Sequence, residues 1–208
     1  VKIIPPKDRF WADPIVIFEN EIYYIFIEEL LYDTDKGHIS VFEINKDGSV
    51  TQPVKIIENE YHMSYPFVFK YEDKFYMIPE TSHNNTIDLY KAKNFPYEWE
   101  FEKTIFNNIK ATDTTLVFKN QKWWMFTSIK EFENGTYDNV LSVFNTDNPI
   151  SGSWKKQIKN TVKNDIENSR QGGPFFKDEN ENLFRVSQNG SNTYGYGYNV
   201  HKIVELSE

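Results

Sequence analysis

Residues 10–17 read FWADPIVI, and after a short polar turn residues 21–28 read EIYYIFIE. A polar strand start is followed by a short apolar strand, a turn and a second strand rich in aromatic residues. Apolar positions recur with a period close to two, which favours β-strands over helices. The same arrangement begins again near residues 62, 111 and 170. A repeat of roughly 50 to 60 residues is typical of the blades of a β-propeller.

A third strand follows in each repeat, and a weaker outer strand follows in the first three. Third strands are predicted at 37–44, 86–92, 139–144 and 197–203, and outer strands at 54–57, 101–106 and 154–158. Turn-forming residues such as Asp47-Gly48 separate the strands, as a four-stranded meander requires. We therefore predict an all-β fold, a single β-propeller domain over residues 1–208. Its four visible blades are expected at 10–57, 61–109, 111–166 and 169–208.

The fourth repeat has no recognisable outer strand. A closed propeller leaves no long open sheet edge, because exposed edges invite aggregation. Either residues 1–4 supply the missing strand or the chain is part of a longer protein, and we favour the second interpretation. We also expect an open or irregular closure between the fourth repeat and the first.

Composition excludes several classes of protein. The formal net charge is −8 and the charges are interspersed, so the positive footprint of a nucleic-acid-binding protein is missing. No run approaches the roughly 18 apolar residues of a transmembrane segment. The chain has no cysteine, which excludes disulfides, thiolate metal sites and thiol nucleophiles. This composition fits a cytoplasmic protein, which we favour, and equally a disulfide-free exported one, so the location stays open.

The residues at the strand starts are the candidates for function, because a propeller gathers the starts of its innermost strands around a central funnel. Asp13, Tyr65, Asp113 and Arg170 hold such positions in the four repeats. When the repeats are aligned by sequence, Asp113 falls one place earlier than Asp13. We expect all four side chains to line one funnel.

Five segments in order along the chain carry a resemblance to known proteins: 10–14, 76–81, 111–115, 169–174 and 196–200. They resemble the five-bladed propeller of glycoside hydrolase family 43 and its relatives. A closer resemblance is to the hydrolase-like propeller at the N-terminus of glucosamine inositolphosphorylceramide transferases, a module that also occurs in bacterial glycan-assembly proteins. The resemblance implies five blades, of which four are visible here. It also implies a carbohydrate or sugar-phosphate ligand and, as a partner, a fused transferase domain.

The same resemblance implies two catalytic carboxylates. Asp13 takes the place of the general base, and Asp113 takes that of a second carboxylate that tunes the pKa of the acid. Both residues have structural alternatives. Asp13 is also suited to a turn before Pro14, and Asp113 to an Asx-turn among threonines.

A general acid is harder to assign. Glu80 closes the second strand of the second repeat, where a buried carboxyl group with a raised pKa can act as an acid. A structural carboxylate bonded to a neighbouring blade is the alternative, and at the equivalent Glu28 the structural role is favoured. The hydrolase pattern expects its acid glutamate in a later blade. The fourth repeat offers Arg170, Gln171 and Gln188 there instead.

Six residues are predicted to contact a ligand. The rings of Phe10 and Trp11 would form a stacking wall. Arg170 would clamp a carboxylate, a phosphate or vicinal hydroxyls, unless it pairs with Asp13 or Asp113. The two glycines after Gln171 let a ligand approach the backbone. The full set is Phe10, Trp11, His62, Tyr65, Arg170 and Gln171. The histidines show no recognised ligand spacing, so we expect no metal and no cofactor.

Our leading hypothesis for function is a carbohydrate-recognising, glycoside-hydrolase-like propeller module of a glycan-assembly or glycan-modifying protein. The alternative is an inverting glycosidase with Asp13 as general base, Asp113 as pKa modulator and Glu80 as general acid. A propeller that binds only proteins is less favoured, because the strand starts are polar. Whether the chain is an enzyme stays open at this stage.

Overall fold

The computed structural model describes residues 2–130, 140–157 and 165–207. Its strands form four antiparallel sheets, which fall into two compact units, Val1–Asn108 and Ile109–Glu208. Each unit holds two sheets. The predicted all-β fold is confirmed, since the described residues contain a single short 3₁₀ helix, Ser82–Asn84, besides their strands and turns.

The first unit consists of two four-stranded meanders, as the alternating pattern predicts. The first sheet contains β1 (Arg9–Glu19), β2 (Ile22–Leu31), β3 (Lys36–Ile44) and β4 (Val54–Ile57). The second contains β5 (Ser64–Tyr71), β6 (Lys74–Thr81), β7 (Thr86–Asn94) and β8 (Glu98–Asn107). Two-residue turns at Asn20-Glu21 and Glu72-Asp73 have positive φ at both positions. This geometry matches the twist of the strands that such turns connect.

The second unit contains the third and fourth sheets. The third sheet is formed by β9 (Ala111–Lys119), β10 (Lys122–Ile129), β11 (Leu141–Thr146) and β12 (Lys155–Lys156). The fourth is formed by β13 (Phe176–Lys177), β14 (Leu183–Asn189) and β15 (Gly197–Lys202). Within the described residues this fourth sheet has three strands, in line with the fourth repeat's lack of a recognisable outer strand. Asn139 and Ile158, at the ends of two predicted strands, lie outside the described residues.

Each of the first three repeats has the same β-bulge at its strand start. Two residues of the innermost strand face one residue of the second strand, and the first bulged residue has positive φ: Asp13, Tyr65 or Asp113. Asp113 is therefore equivalent to Asp13, and the sequence alignment that shifted it by one place is wrong. The period of the sequence does not reveal a bulge, because the extra residue leaves the strand pattern on both sides intact.

Aromatic and aliphatic side chains form the core of each unit. In the first unit Phe26, Ile39 and Met77 are almost completely buried, and the ring of Phe95 stacks on Phe75 with centroids 3.8 Å apart. In the second unit Trp124 belongs to a separate buried cluster of the third sheet. Burial of one such large side chain contributes about 1.5 to 3 kcal/mol. These cores fix the strands whose starts carry the candidate site residues.

In the part of the chain that the structure describes, we find no helix with the length and apolar character needed to cross a lipid bilayer.

Candidate functional site

A cavity of about 280 Å³ lies beside the fourth sheet in the second unit. It is formed by two loops and the end of β14. We call residues 165–171 the arginine loop and residues 190–196 the tyrosine loop. The lining residues are Ile166, Arg170, Gln188, Asn189, Gly190, Asn192, Thr193, Tyr194 and Gly195.

A largely buried ion pair joins Arg170, which lines this cavity, to Asp113. Arg170 donates a hydrogen bond from Nε to Oδ2 of Asp113, whose side chain is only 1% exposed. Gln188 donates from Nε2 to the same oxygen over 3.2 Å and to the main-chain oxygen of Gln171 over 2.8 Å. A buried carboxylate needs such partners, because an uncompensated charge is costly away from water. Of the roles considered for Arg170, pairing with Asp113 is thus observed.

Tyr194 gives the cavity an open aromatic wall. Its side chain is 81% exposed, and the guanidinium carbon of Arg170 lies 5.7 Å from the centre of its ring. At this distance a guanidinium is attracted by the face of an aromatic ring. The cavity therefore combines an exposed ring with amide and guanidinium groups.

Arg185 supports the arginine loop from inside the blade. Its side chain is buried and donates to the main-chain oxygens of Asn168 and Ser169, over 2.7 and 2.6 Å, and to Oε1 of Gln171. The sequence interpretation missed this residue. The available signal was an arginine in a strand position that is apolar in the other repeats, at Ile25, Met77 and Met125.

Gln171, which the sequence placed at the ligand, is fully buried. Its Oε1 accepts from Arg185 and its main-chain oxygen accepts from Gln188. This environment favours a role in positioning Arg170 and Gln188. Contact between Gln171 and a ligand stays a prediction of the sequence alone.

In the first unit, His62 and Glu28 form a second polar cluster. The main-chain N–H of Gly37 donates to Nδ1 of His62 over 3.0 Å, so the proton of the neutral ring lies on Nε2. That nitrogen is 3.3 Å from Oε1 of Glu28. Burial lowers the pKa of His62, and the nearby His83 lowers it further, whereas Asp35 opposes them. The cluster is consistent with the structural role favoured for Glu28.

Glu29, which the sequence interpretation did not single out, holds Trp11 in place. Its buried carboxylate accepts from the indole N–H of Trp11 over 3.0 Å and from Arg9, His38 and Ser40. Burial alone would raise the pKa of Glu29, but these hydrogen bonds keep it below its ordinary value. The Trp11 ring packs near Phe42, with centroids 5.9 Å apart. Trp11 is thus anchored within its blade, whatever it contacts on its other side.

Glu80 lies at the place that the repeats predict. It pairs with Ser64 across β5 and β6, as Glu28 pairs with Ala12 and Ser128 with Thr112. Its Oε1 accepts a hydrogen bond of 2.7 Å from Ser82. Its role as an acid stays a prediction.

The remaining candidates of the first unit occupy the strand starts of its two sheets. Phe10 is partly exposed and lies 6.4 Å from the ring of Tyr32, measured between centroids. Asp13 is half-buried, whereas Tyr65 is buried. The candidate residues are divided between the two units, so their convergence on one funnel stays a prediction. In the described parts of the chain no three His, Asp or Glu side chains are grouped so that they could hold a metal ion.

Comparison with known proteins assigns the chain to a family. The chain matches, over residues 4–208, the family described as glucosamine inositolphosphorylceramide transferase 1, N-terminal. It is 32% identical over 205 residues to glucosamine inositolphosphorylceramide transferase 1 of Oryza sativa subsp. japonica, and 31% identical over 203 residues to that of Arabidopsis thaliana. Both alignments cover 96% of this chain, but 27% and 26% of the relatives. The chain thus spans about a quarter of the length of these relatives.

Solved structures of glycoside hydrolases share the fold. An exo-β-1,3-galactanase from Clostridium thermocellum has a TM-score of 0.72 at 12% identity, covering 96% of this chain and 47% of the other. A thermostable family-43 glycoside hydrolase has a TM-score of 0.68 at 13% identity, covering 94% and 72%. At these identities the likeness establishes the fold alone. It confirms the predicted hydrolase-like β-propeller, with four blades in this chain.

Proposed function

The chain belongs to the family of glucosamine inositolphosphorylceramide transferase 1 N-terminal domains, and we propose that it is a module that binds a sugar in the cavity between the arginine loop and the tyrosine loop. The observation that carries this proposal is the joint lining of the cavity by Arg170, Gln188 and Tyr194. The module is glycan-related by its family and by its fold. Recognition of carbohydrate by this cavity is the proposed step.

The size and chemistry of the cavity support this function. Its volume of about 280 Å³ is near the lower end of the range for small-molecule sites, roughly 300 to 1,000 Å³, and suits a single sugar ring. A sugar ring has apolar faces and an edge of hydroxyl groups. The ring of Tyr194 offers a surface for a face, and the amides of Asn189 and Asn192 offer hydrogen bonds for the edge.

Binding is favoured over hydrolysis for two reasons. Acid catalysis contributes about 10²- to 10⁴-fold to a rate, and the fourth repeat has arginine and glutamine where the hydrolase pattern expects an acid glutamate. In addition, Asp113 is engaged by Arg170 and Gln188. We therefore propose that the module holds a sugar without cleaving it, and that it works within a longer protein with a transferase domain.

The alternative is the inverting glycosidase, with Asp13 as base, Asp113 as pKa modulator and Glu80 as acid. One observation favours it. Asp13 and Asp113 occupy the same bulge position in their repeats, with φ of 50° and 52°. An inverting pair needs carboxyl groups about 6.5 to 9.5 Å apart on either side of the bond that is cleaved.

A pair of tyrosine variants tests the proposed site. We expect the wild type to bind a subset of sugars on a glycan array, and Tyr194→Ala to weaken that binding about tenfold, or about 1.4 kcal/mol, in titration calorimetry. Tyr198→Ala is the matched control, because Tyr198 is also exposed, lies on β15 and does not line the cavity. Absence of glycan binding, or equal losses in both variants, would contradict the proposal.

A further inference from the structure

We propose that Asp113 determines the charge of the ligand, so that the cavity accepts an uncharged sugar and excludes sugar phosphates and uronates. This inference rests on the proposed function of the same cavity. It concerns the choice between the two ligand classes, sugar and sugar phosphate, that the sequence left open. The balance of charge around Arg170 and the hydrogen-bond capacity of Gln188 support it separately.

The first argument is the balance of charge. Among the lining residues that the structure describes, Arg170 is the one with a formal charge. That charge is matched by the buried carboxylate of Asp113, to which Arg170 donates from Nε. The two side chains together contribute a net charge of zero. An anionic ligand at Arg170 would therefore place a second negative group beside Asp113 and would compete with it for the guanidinium.

Burial strengthens this argument. The side chain of Asp113 is 1% exposed and that of Arg170 is 18% exposed, so solvent screens their interaction poorly. Drawing Arg170 towards a phosphate or carboxylate would leave Asp113 buried with a weaker partner. Such an uncompensated charge is costly. A neutral hydroxyl group, in contrast, can bond to the pair without separating it.

The second argument is the state of Gln188. An amide nitrogen has two hydrogen atoms, and those of Gln188 point to Oδ2 of Asp113 and to the main-chain oxygen of Gln171. The group of this amide that a ligand can use is therefore Oε1, which is an acceptor. A sugar hydroxyl can donate to this oxygen. An ionised phosphate or carboxylate has only acceptors to offer and would be repelled by it.

The substitution that isolates this effect is Asp113→Asn. Asparagine tolerates the positive φ of 52° at this position, and its carbonyl oxygen still accepts from Arg170 and Gln188. The change removes one negative charge and leaves the shape of the site nearly unchanged. The site then has a net positive charge and gains the character of an anion site.

The experiment compares three ligands that differ in charge: glucose, glucose 6-phosphate and glucuronate, with the galactose series in parallel. Affinities are measured by calorimetry or ligand-observed NMR, on protein whose folding is checked by thermal melting. For the wild type we expect the neutral sugar of at least one series to bind at least tenfold tighter than its phosphate or uronate. For Asp113→Asn we expect this ratio to fall at least tenfold, through a gain in anion affinity that salt weakens.

Two further variants control the experiment. Asp147→Asn removes the same charge from an exposed side chain of the same unit, paired with Lys122, and should leave the ratio unchanged. The double variant Asp113→Asn/Arg170→Gln removes both members of the pair and restores a net charge of zero. It should recover the preference for the neutral sugar, and it keeps the test valid if the single variant is unstable.

The outcomes separate this inference from the proposed function. Binding of phosphates or uronates by the wild type in preference to the neutral sugar would overturn the inference and leave the sugar site intact. An unchanged ratio in Asp113→Asn, or a double variant that prefers anions, would also overturn it. Failure of the wild type to bind any sugar, neutral or charged, would contradict the proposed function, and this inference with it.

Discussion

At the scale of single residues, the first unit contains buried polar groups that several side chains hold by hydrogen bonds. Glu29 is the clearest case, because four side chains donate to its two oxygens: Arg9, Trp11, His38 and Ser40. Its pKa is lower in the folded protein than its ordinary value of 4.5. The charged form is therefore the one that the fold stabilises.

We expect Glu29→Gln to destabilise the fold by about 2 to 4 kcal/mol, because the amide replaces a charged acceptor and points a donor at other donors. A group with a depressed folded pKa contributes stability above its unfolded pKa and loses it as the pH falls through the folded pKa. In urea unfolding at a series of pH values, the free energy of unfolding of the wild type should fall below about pH 4.5, whereas that of the variant should change less over the same range. Glu21→Gln, at an exposed ion pair with Lys46, is the control and should change stability by less than about 1 kcal/mol. A similar small loss in Glu29→Gln would show that the network is not stabilising.

Gly37 provides a second test at this scale. A Cβ at this position would lie 2.6 Å from the main-chain oxygen of Met63 and 2.9 Å from both Oε1 of Glu28 and Cε1 of His62. We expect Gly37→Ala to cost about 1 to 3 kcal/mol, because the contact with backbone leaves no easy relaxation. Gly197→Ala is the matched strand control, since nothing lies within 4 Å of its Cβ. Denaturant titration that gives equal stabilities for the two variants would contradict this account of the His62 cluster.

What the sequence could predict at this scale is limited by contacts between distant residues. Glu28 and Glu80 were correctly matched, since each pairs with the residue before the bulge, and their place along the second strand depends only on the local period. The role of Glu29 depends on side chains of β1 and β3, and that of Arg185 on the arginine loop, so neither role follows from the pattern of the strand that carries the residue. Asp113 was aligned one place away from its true equivalent, because a bulge adds a residue without disturbing the alternation around it.

At the scale of elements, the arginine loop is held by more hydrogen bonds than its lack of regular structure suggests. Asp165 accepts from the main-chain N–H groups of Glu167 and Asn168, and Asn199 of β15 donates to the main-chain oxygen of Glu167. Arg185 of β14 binds the second half of the loop from beneath. The sequence predicted strands well where they are long and alternating. It could not predict this loop, whose order comes from β14 and β15.

We expect Arg185 to act on ligand affinity through the arginine loop. In Arg185→Lys the charge remains, but one ammonium group cannot reach all three acceptors of the guanidinium. Hydrogen exchange of the amides in residues 166–171 should become faster, and sugar affinity should fall about tenfold, or about 1.4 kcal/mol. Lys177→Met, which removes an exposed charge from β13 of the same sheet, should change neither measurement. Unchanged exchange in Arg185→Lys would exclude a positioning role even if affinity falls.

At the scale of the whole molecule, the fold leads one to expect a hydrolase, whereas the residues at the strand starts lead one to expect a binding module. The repeat of strands predicted a propeller, and structures of hydrolases at 12% and 13% identity share that fold. Folds of this kind are shared by proteins with different functions, so activity must be argued from the site. In this chain the strand start of the fourth repeat presents Arg170, and Asp113 is engaged by it. The fourth repeat has no glutamate where the hydrolase pattern expects the general acid, and Glu80 belongs to the second repeat.

The choice of leaving group can therefore separate a binding module from a glycosidase. The dinitrophenolate group of a 2,4-dinitrophenyl glycoside leaves without a proton from a general acid, whereas the methoxy group of a methyl glycoside needs one. The first substrate therefore tests Asp13 as a base even if Glu80 does not act as an acid. We expect no turnover of either substrate above that of the Asp13→Asn variant, under conditions where sugar binding is measurable. Turnover of the dinitrophenyl glycoside alone, abolished by Asp13→Asn, would indicate a base without an acid. The inverting glycosidase would be established by turnover of both substrates that Asp13→Asn abolishes, with turnover of the methyl glycoside reduced about 10²- to 10⁴-fold by Glu80→Gln. This result would contradict the proposal of a binding module.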